Sequence, residues 1–374
     1  MNQESRRNIL KSAAVLSASA VAGTAANSAV KVGLIGSGNR GTYVAGEMAK
    51  NTSARIVALC DIFPEKMDQA KSKIGVTDAK MYKDLRDLLA SDVEAVIIAT
   101  PVFLHAEHFE AAVKAGKHIY IEKPASVDVQ GCKRIIRAAD SADRKLNITF
   151  GFQRRSGQVY LKAKQLVDAG TIGRIHMGHA HFVKSGGAAA SSLPQGKPAT
   201  EEEKIKRWYA WKELSGDLIV ENNVHSIDVL NWFLGGHPLS AIGSGGSTLP
   251  PRGNVRDHNF IAFEYANGVQ GSLLGATLAA NNYRHVTEQF FGAKGMVETS
   301  ENFWRHYKNR DDDVTEKSPR NITIDSVAAF VQRISDGKPE NHAIRGAEST
   351  LTAILGRMAM DVRREVTWDE MMKG

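Results

Sequence analysis

The tripeptide Glu122-Lys123-Pro124 carries a first side chain that could take part in a reaction. It ends a short apolar run that begins at His118, and such a run is typical of a buried strand. Ligands of parallel α/β sheets bind at the carboxyl ends of the strands, where this lysine would lie. An ammonium group there can hydrogen-bond a substrate hydroxyl and help to move its proton. The tripeptide alone is also compatible with a surface ion pair before a turn.

A second group of titratable side chains lies in the other half of the chain. Glu221, His225 and Asp228 are spaced i, i+4 and i+7, so a helix would place them on one face, with Trp232 next along it. An imidazole flanked by carboxylates could relay a proton while an alcohol is oxidised. The same spacing also fits a solvated polar face with a hydrogen-bonded histidine.

The glycine-rich segment near the start of the chain predicts the redox partner for such chemistry. Gly36-Ser37-Gly38-Asn39-Arg40-Gly41 lies between an apolar run and a helical stretch, and Asp61 closes the next apolar run about 20 residues later. In a Rossmann loop the three glycines allow a tight turn, a close approach of the pyrophosphate and close helix packing. An acid at Asp61 would bond to the ribose hydroxyls and repel a 2′-phosphate. We predict NAD as the cofactor, with NADP disfavoured.

The elements that must position these residues alternate between strands and helices up to about residue 150. Apolar runs occur at 30–35, 54–60, 93–100, 118–121 and 146–152, with helical stretches at about 40–50, 103–115 and 127–142. This alternation predicts a parallel, doubly wound α/β sheet. We therefore assign residues 30–150 to an NAD-binding Rossmann domain.

The pattern changes after residue 150. A helical stretch at about 157–169 is followed by strand-like runs at 174–183, 259–265, 269–278 and 285–291. These runs predict an α+β domain over residues 151–374 with an open, largely antiparallel sheet. We expect a final helical stretch, 345–363, to pack back across the interface of the two domains.

The N-terminal segment Ser5-Arg6-Arg7-Asn8-Ile9-Leu10-Lys11 is typical of a twin-arginine (Tat) export signal. The uncharged Ala- and Ser-rich stretch after it is too weakly apolar for stable membrane insertion. We assign residues 1–29 to the signal and a linker, and expect recognition by the Tat export machinery and a periplasmic or otherwise extracytoplasmic location. Because free nicotinamide cofactor is scarce there, we expect NAD to be tightly bound and recycled in place. A chance arginine pair in an ordinary N-terminus is the alternative.

Composition limits the classes of partner. The 374 residues suffice for two domains, and the net charge of +7 comes from basic residues that are scattered along the chain. Scattered charge indicates a solvated surface rather than a nucleic-acid site.

Taken in order, these segments resemble the Gfo/Idh/MocA family of oxidoreductases. Ala99-Thr100-Pro101 with His105, Gly151-Phe152-Gln153-Arg154-Arg155 and the closing Val366-Thr367-Trp368-Asp369-Glu370 belong to the same resemblance, which covers nearly the whole chain after the signal. It implies sugar or polyol substrates and a dimer or tetramer associated through the open sheet.

By this resemblance Lys123 and His225 form the catalytic pair, with Glu221 assisting. We add Asp228 as a further catalytic residue because the helical spacing places it on the same face. The family usually has aspartate where this chain has Glu221. The extra methylene moves the carboxylate by about 1.5 Å, which favours substrate binding over direct proton transfer. The resemblance also implies that Thr100, Pro101 and His105 line the nicotinamide side. We expect Glu122 and Lys123 to contact the cofactor as well, and Arg154 and Arg155 to face the substrate. A strand-end salt bridge is the alternative for both arginines.

Two weaker signals concern sugars and metals. Trp208 and Trp211 could stack on a sugar ring, although aromatic clusters are more often part of a core. His179 and His181 share a strand face, but no acidic or thiol ligand is spaced with them, so we predict no metal site.

The sequence therefore predicts an NAD-dependent oxidoreductase that acts on a sugar, a polyol or a sugar derivative. Two alternatives stay open. The first is a glycoside-cleaving enzyme that oxidises the sugar transiently and eliminates the aglycone; the lysine of Glu122-Lys123-Pro124 argues against it, because the glycosidase subgroup of this family lacks that lysine. The second is a cofactor-binding protein without catalysis, against which both Lys123 and His225 argue.

Overall fold

The computed structural model describes residues 29–185, 196–248, 253–279, 282–308 and 313–374. The predicted export signal lies outside these ranges. In the described part of the chain, no helix combines the length and the apolar character needed to cross a membrane.

The first domain contains a six-stranded parallel sheet with the strand order β3-β2-β1-β4-β5-β6. Its strands are β1 (Lys31–Ile35), β2 (Arg55–Cys60), β3 (Lys80–Tyr82), β4 (Ala95–Ile98), β5 (His118–Ile121) and β6 (Ile148–Phe150). Its helices are α1 (Asn39–Asn51), α2 (Pro64–Ile74), α3 (Leu85–Leu89), α4 (His105–Lys114) and α5 (Val129–Asp140). The order reverses between β1 and β4, which creates the crevice where doubly wound folds bind dinucleotides. The predicted Rossmann architecture is confirmed.

The second domain contains a nine-stranded sheet with the order β14-β13-β12-β11-β7-β10-β9-β8-β15. Its strands are β7 (Ile175–Ser185), β8 (Ser240–Gly246), β9 (His258–Glu264), β10 (Gln270–Ala279), β11 (Arg284–Gly292), β12 (Gly295–Thr299), β13 (Phe303–Tyr307), β14 (Val314–Lys317) and β15 (Val366–Thr367). Neighbouring strands are antiparallel except β7 and β10, which pair in parallel. The open, largely antiparallel sheet is therefore confirmed, and the parallel pair was not predicted.

The helices of the second domain are α6 (Gln158–Asp168), α7 (Glu201–Arg207), α8 (Lys212–Ser215), α9 (Val224–Leu234), α10 (Ile322–Ser335), α11 (Ala343–Val362) and α12 (Trp368–Lys373). Of these, α6, α9 and α11 pack against one face of the sheet. Gly178 of β7 lies so close to α9 that a Cβ atom there would be 3.0 Å from a methyl carbon of Leu230. On the opposite face Met177, Ile242 and Phe260 are 40%, 52% and 55% exposed.

Two of these helices return to the first domain. Phe330 of α10 packs edge-on against Tyr120 of β5, with ring centroids 5.6 Å apart. In α11 the Thr350 hydroxyl accepts a hydrogen bond of 2.9 Å from the backbone N–H of Ala125. Both α11, the last long helix, and α10 therefore contact the first domain, and the sequence had indicated only the contact of α11.

Candidate active site

The glycine loop after β1 has the geometry that a dinucleotide requires. Gly36 has a φ of +91°, and a Cβ atom there would lie 2.7 Å from the backbone of Ala99. A Cβ atom on Gly41 would lie 2.0 Å from the carbonyl oxygen of Gly36, whereas one on Gly38 would meet nothing within 4 Å. The backbone therefore turns tightly, packs α1 against β1 and leaves an open side at Gly38. These features fit a pyrophosphate at the N-terminus of α1.

Asp61 lies beside this loop at the end of β2. Its carboxylate accepts hydrogen bonds from the backbone N–H of Ser37 at 2.8 Å and of Phe63 at 3.0 Å. A carboxylate has about four acceptor sites, so acceptor capacity remains for ribose hydroxyls. The hydroxyl of Ser37 is buried without a hydrogen-bond partner among the described residues. Both side chains are therefore placed where the sequence predicts ribose and phosphate contacts.

Replacing Asp61 with alanine is expected to weaken NAD binding by tenfold or more and to reduce the preference for NAD over NADP. A hydrogen bond to a charged group contributes about 1.5–3 kcal/mol, and the charge that repels a 2′-phosphate is also lost. Titration of apoprotein with NAD and NADP measures both effects. The Asp61→Asn variant, which keeps the shape and removes the charge, separates the two causes. An unchanged ratio of NAD to NADP affinity in both variants would remove the ribose role.

A cleft of about 340 Å³ lies between the two domains and brings together eight of the predicted site residues. Those that line it are Arg40, Thr100, His105, Glu122, Lys123, Trp208, Glu221 and His225. The sequence did not single out further residues that line it: Phe182, Lys184, Asn222, Arg284 and Glu301. Gln153 also lines the cleft. From this segment the sequence had predicted substrate contacts only for Arg154 and Arg155.

Lys123 is held at the centre of this cleft by Glu221. Its ammonium group lies 3.0 Å from Glu221 Oε1 and 2.5 Å from the Glu221 carbonyl oxygen. Glu221 lies in a π-helical turn, Ile219–Asn223, that leads directly into α9. The wider turn changes the helical register, so Glu221 does not share a regular α-helical face with His225 as the spacing predicted. Burial raises the pKa of Glu221, although the positive charge of Lys123 acts in the opposite direction.

His225 follows at the start of α9, edge-on to Phe152 with ring centroids 6.3 Å apart. Burial, together with the nearby charge of Lys123, lowers the pKa of His225 well below its usual value. Its Nδ1 atom is buried and has no hydrogen-bond partner in the described ranges. The ring is therefore neutral at pH 7, and a neutral imidazole can accept a proton.

The opposite wall of the cleft comes from the first domain. Arg40 of the glycine loop donates from Nε to Glu122 Oε1 at 2.9 Å, which ties the loop to the end of β5. The His105 ring lies 2.7 Å from the Pro124 carbonyl oxygen and 2.9 Å from that of Thr100. Burial lowers the pKa of His105, and a neutral ring donates to one carbonyl at a time. Pro101, predicted with Thr100, precedes the turn Val102–Leu104 and is not among the residues that line the cleft.

Asp228 and Arg155 form an ion pair beside the cleft rather than lining it. Arg155 Nε lies 2.9 Å from both carboxylate oxygens of Asp228, and the Ser349 hydroxyl donates to the same group at 2.7 Å. The Arg155 guanidinium also lies over the Trp232 ring, 5.2 Å from its centroid. The Asp228 side chain is 1% exposed, and neither Asp228 nor Arg155 is among the residues that line the cleft. The pair therefore has a structural position and does not occupy the predicted acid-base and substrate positions.

Arg154 is buried beneath the cleft, with 1% of its side chain exposed. Its guanidinium pairs with Glu288 of β11 and donates to the Ser226 hydroxyl at 2.9 Å. It lies 3.4 Å from Glu301, which does line the cleft. Arg154, like Arg155, therefore forms a salt bridge, which was the alternative to the predicted contact with substrate.

The predicted aromatic residues do not all lie at the cleft, and the two histidines of β7 contact each other. Trp208 lines the cleft, but Trp211 is 7% exposed and packs in the core. His179 and His181 contact each other through their Nε2 atoms at 2.9 Å. No group of three or more His, Cys, Asp or Glu side chains within the described ranges is arranged to hold a metal ion.

Comparison with known proteins places this site in a family. Residues 30–150 match the model of the oxidoreductase family with an NAD-binding Rossmann fold, and residues 160–298 match the GFO/IDH/MocA C-terminal domain. A myo-inositol 2-dehydrogenase of Thermotoga maritima is 23% identical over 362 residues, which cover 92% of this chain and 100% of that protein. An inositol 2-dehydrogenase of Salmonella typhimurium is 31% identical over 207 residues, but the match spans 55% of this chain and 54% of that protein.

Solved structures give the same result for the fold. The scyllo-inositol dehydrogenase of Lactobacillus casei with bound NAD(H) and scyllo-inositol superposes with a TM-score of 0.72 at 25% identity, over 91% of this chain and 99% of that one. A levoglucosan dehydrogenase in complex with NADH and levoglucosan has a TM-score of 0.76 at 20% identity, over 90% and 99%. Because the two family models together span most of the chain, this protein belongs to the Gfo/Idh/MocA family and is an NAD-dependent oxidoreductase of that type.

Proposed function

We propose that this enzyme oxidises a hydroxyl group of a sugar, polyol or sugar derivative, with NAD as a tightly held cofactor. The observation that carries the proposal is the placement of Lys123 and His225 in one cleft, between the glycine loop and the second domain. Relatives named for inositol and levoglucosan support polyhydroxylated ring compounds as the substrate class. When bound, NAD supplies the acceptor for the hydride that leaves the substrate carbon.

The side chains have distinct roles in this proposal. The Lys123 ammonium, oriented by Glu221, donates a hydrogen bond to the oxygen of the reacting hydroxyl and stabilises negative charge on it. The neutral His225 ring accepts the hydroxyl proton. Arg40 and Glu122 keep the end of β5 against the cofactor loop, which fixes the position of Lys123 relative to the cofactor.

The lowered pKa of His225 predicts an unusual pH profile. Oxidation requires the neutral ring, and a ring with a lowered pKa stays neutral as the pH falls below 6.5, the ordinary value for histidine. We therefore expect kcat/KM for oxidation to stay flat from pH 7.5 through 6.5 and to fall only at lower pH. Steady-state rates across this range test the expectation. The Glu221→Gln variant shows whether the acidic limb belongs to His225, and half-loss of activity near pH 6.5 would contradict the assignment.

We also propose that the protein is exported in the folded state with its cofactor. The arginine pair Arg6-Arg7 followed by an uncharged Ala- and Ser-rich stretch supports this route. Without a soluble NAD pool, oxidation would stop after one turnover unless a second substrate reoxidises the bound cofactor. Tight binding and reoxidation in place are therefore part of the same proposal.

One experiment tests the reaction and separates it from glycoside cleavage. Protein recovered from the extracytoplasmic fraction is assayed for bound NAD and then given free sugars and aryl glycosides, while nicotinamide absorbance and aglycone release are followed together. Stable reduction without aglycone release supports the oxidoreductase. Aglycone release without net reduction supports the glycosidase, and neither signal from any compound would support a binding protein without catalysis.

The exposed face of the nine-stranded sheet supports a proposal about assembly. Met177, Ile242 and Phe260 project from it, and apolar side chains of this size are commonly covered in an oligomer. We propose that copies of the chain associate through this face as a dimer or tetramer. Sedimentation equilibrium measures the molar mass, and a monomer at micromolar concentration would contradict the proposal.

A further inference from the structure

Lys184 is a cleft residue that the reaction described above does not use. It lies near the end of β7, on the second-domain side of the cleft. Its ammonium group donates to Asn222 Oδ1 at 2.6 Å and lies 5.4 Å from the centroid of the Phe182 ring. The Asn222 amide in turn lies 2.5 Å from the Tyr209 hydroxyl, to which it donates. The ammonium is thus held in one orientation by a neutral partner that is itself fixed.

The other cations that line the cleft each have a carboxylate partner. Arg40 pairs with Glu122 at 2.9 Å, Lys123 with Glu221 at 3.0 Å and Arg284 with Glu301 at 3.0 Å. No carboxylate of the described residues forms an ion pair with Lys184. The segment that follows it, 186–195, contains no acidic residue. The wall of the cleft therefore carries four cations and three carboxylates.

An unpaired ammonium in such a position is costly unless a ligand compensates it. Burial, with the nearby charges of Lys123 and Arg284, lowers the pKa of Lys184, and the carboxylates of Glu221 and Glu301 oppose this shift without reversing it. A negative group next to Lys184 would remove this penalty, whereas a neutral hydroxyl would leave the charge uncompensated. One ammonium matches the single charge of a carboxylate. A phosphate monoester carries about two negative charges at pH 7, which is more than the one net positive charge of the cleft wall offsets.

We propose that the substrate is a sugar acid whose carboxylate binds Lys184 while Lys123 and His225 act on a hydroxyl of the same ring. The inference rests on the proposed function, because it adds a contact between Lys184 and the substrate that Lys123 and His225 oxidise. The carboxylate takes no part in the oxidation and serves to select and orient the sugar. Asn222 and Tyr209 act as positioning residues for the ammonium.

The test compares matched acidic and neutral sugars. Holoenzyme is given D-glucuronate with D-glucose, and D-galacturonate with D-galactose, and both kcat/KM and binding by calorimetry are measured. We expect the acids to be preferred by tenfold or more, since a charge-assisted contact separates the members of each pair. In the Lys184→Gln variant the ratio of kcat/KM for the acid to kcat/KM for the neutral sugar is expected to approach one, mainly because the KM for the acid rises. Lys184→Arg is expected to retain most of it, and the surface variant Lys204→Gln should match the wild type.

The outcomes distinguish this inference from the proposed function. Equal kcat/KM for acids and neutral sugars in the wild type would overturn the inference and leave the oxidoreductase in place. A parallel loss for both members of a pair in Lys184→Gln, in protein that retains NAD and its circular dichroism spectrum, would also overturn it. If the enzyme prefers D-glucose 6-phosphate to both D-glucuronate and D-glucose, the group that binds Lys184 is a phosphate and the carboxylate assignment is wrong. If no sugar of any kind reduces the bound NAD or releases an aglycone, the proposed function itself fails.

Discussion

Replacing Lys123 with alanine is expected to slow substrate oxidation by about 10²- to 10⁴-fold, the range that a positioned proton-transfer group contributes. In our proposal the Lys123 ammonium contacts the reacting oxygen, so the variant loses that contact, and Glu221 loses its partner at 3.0 Å. The hydrogen-bond partners of the Lys123 ammonium are the carbonyl and carboxylate oxygens of Glu221, and not the loop Gly36–Gly41, which holds the cofactor in our proposal. We therefore expect bound NAD to be retained. Single-turnover nicotinamide absorbance gives the rate, and release of cofactor from denatured protein gives the occupancy.

A matched control is available on the surface. Lys204 lies on α7 and pairs with Glu201, which is exposed, so Lys204→Ala should change neither quantity. The Lys123→Arg variant keeps a positive charge but changes its reach and shape, and partial activity is expected. Unchanged turnover in Lys123→Ala would remove the catalytic assignment. Loss of bound NAD in that variant would instead show that Lys123 serves mainly to hold the cofactor.

Replacing Arg154 with alanine is expected to lower the free energy of unfolding by about 3–5 kcal/mol, because it leaves a buried carboxylate without its partner. Arg154 and Glu288 are 1% and 0% exposed. Burial raises the pKa of Glu288, while the charge of Arg154 opposes this shift. Without the arginine, Glu288 must become protonated or remain charged in the core, and both outcomes cost stability. Urea denaturation followed by intrinsic fluorescence measures the loss.

The double variant Arg154→Leu with Glu288→Gln tests the cause. A neutral amide at position 288 can keep the contacts with Ser226 and Thr299, at 2.7 and 3.0 Å, without a buried charge. We expect this variant to recover most of the stability that Arg154→Ala loses, since replacing both partners removes the uncompensated group. A double variant as unstable as the single one would show that the loss comes from the missing side-chain volume.

The first domain was predictable from the sequence because its signals are local. A strand, a glycine loop and a helix follow one another within residues 31–51, and Gly36 and Gly41 allow close backbone contacts that the structure shows. The two short segments around Lys123 and His225 were also recognisable, since each carries its reactive side chain at the edge of a regular element. Their meeting in one cleft depends on the packing of the domains, which no local pattern contains.

The residues that the sequence placed less well are those whose partners lie far along the chain. Asp228 has the spacing of a proton relay, but Arg155 and Ser349 bind its carboxylate. Arg154 is 134 residues away from Glu288, so nothing near either residue indicates the pair. No sequence pattern singled out Lys184. It differs from the other cations of the cleft because no carboxylate of the described residues pairs with it, and only the folded structure shows this. A π-helical turn is equally hard to foresee, since the residues of Ile219–Asn223 also suit an ordinary helix.

The return of α10 to the first domain has a consequence for synthesis on the ribosome. Phe330 and its neighbours Val327 and Val331 complete a core that also contains Val32, Leu34 and Tyr120, so the first domain lacks part of its apolar packing until residue 335 has been made. A nascent chain that ends near residue 150 exposes that surface, which invites aggregation. The cofactor domain is thus encoded first but completed almost last, and its sheet keeps an uncovered apolar surface for most of translation.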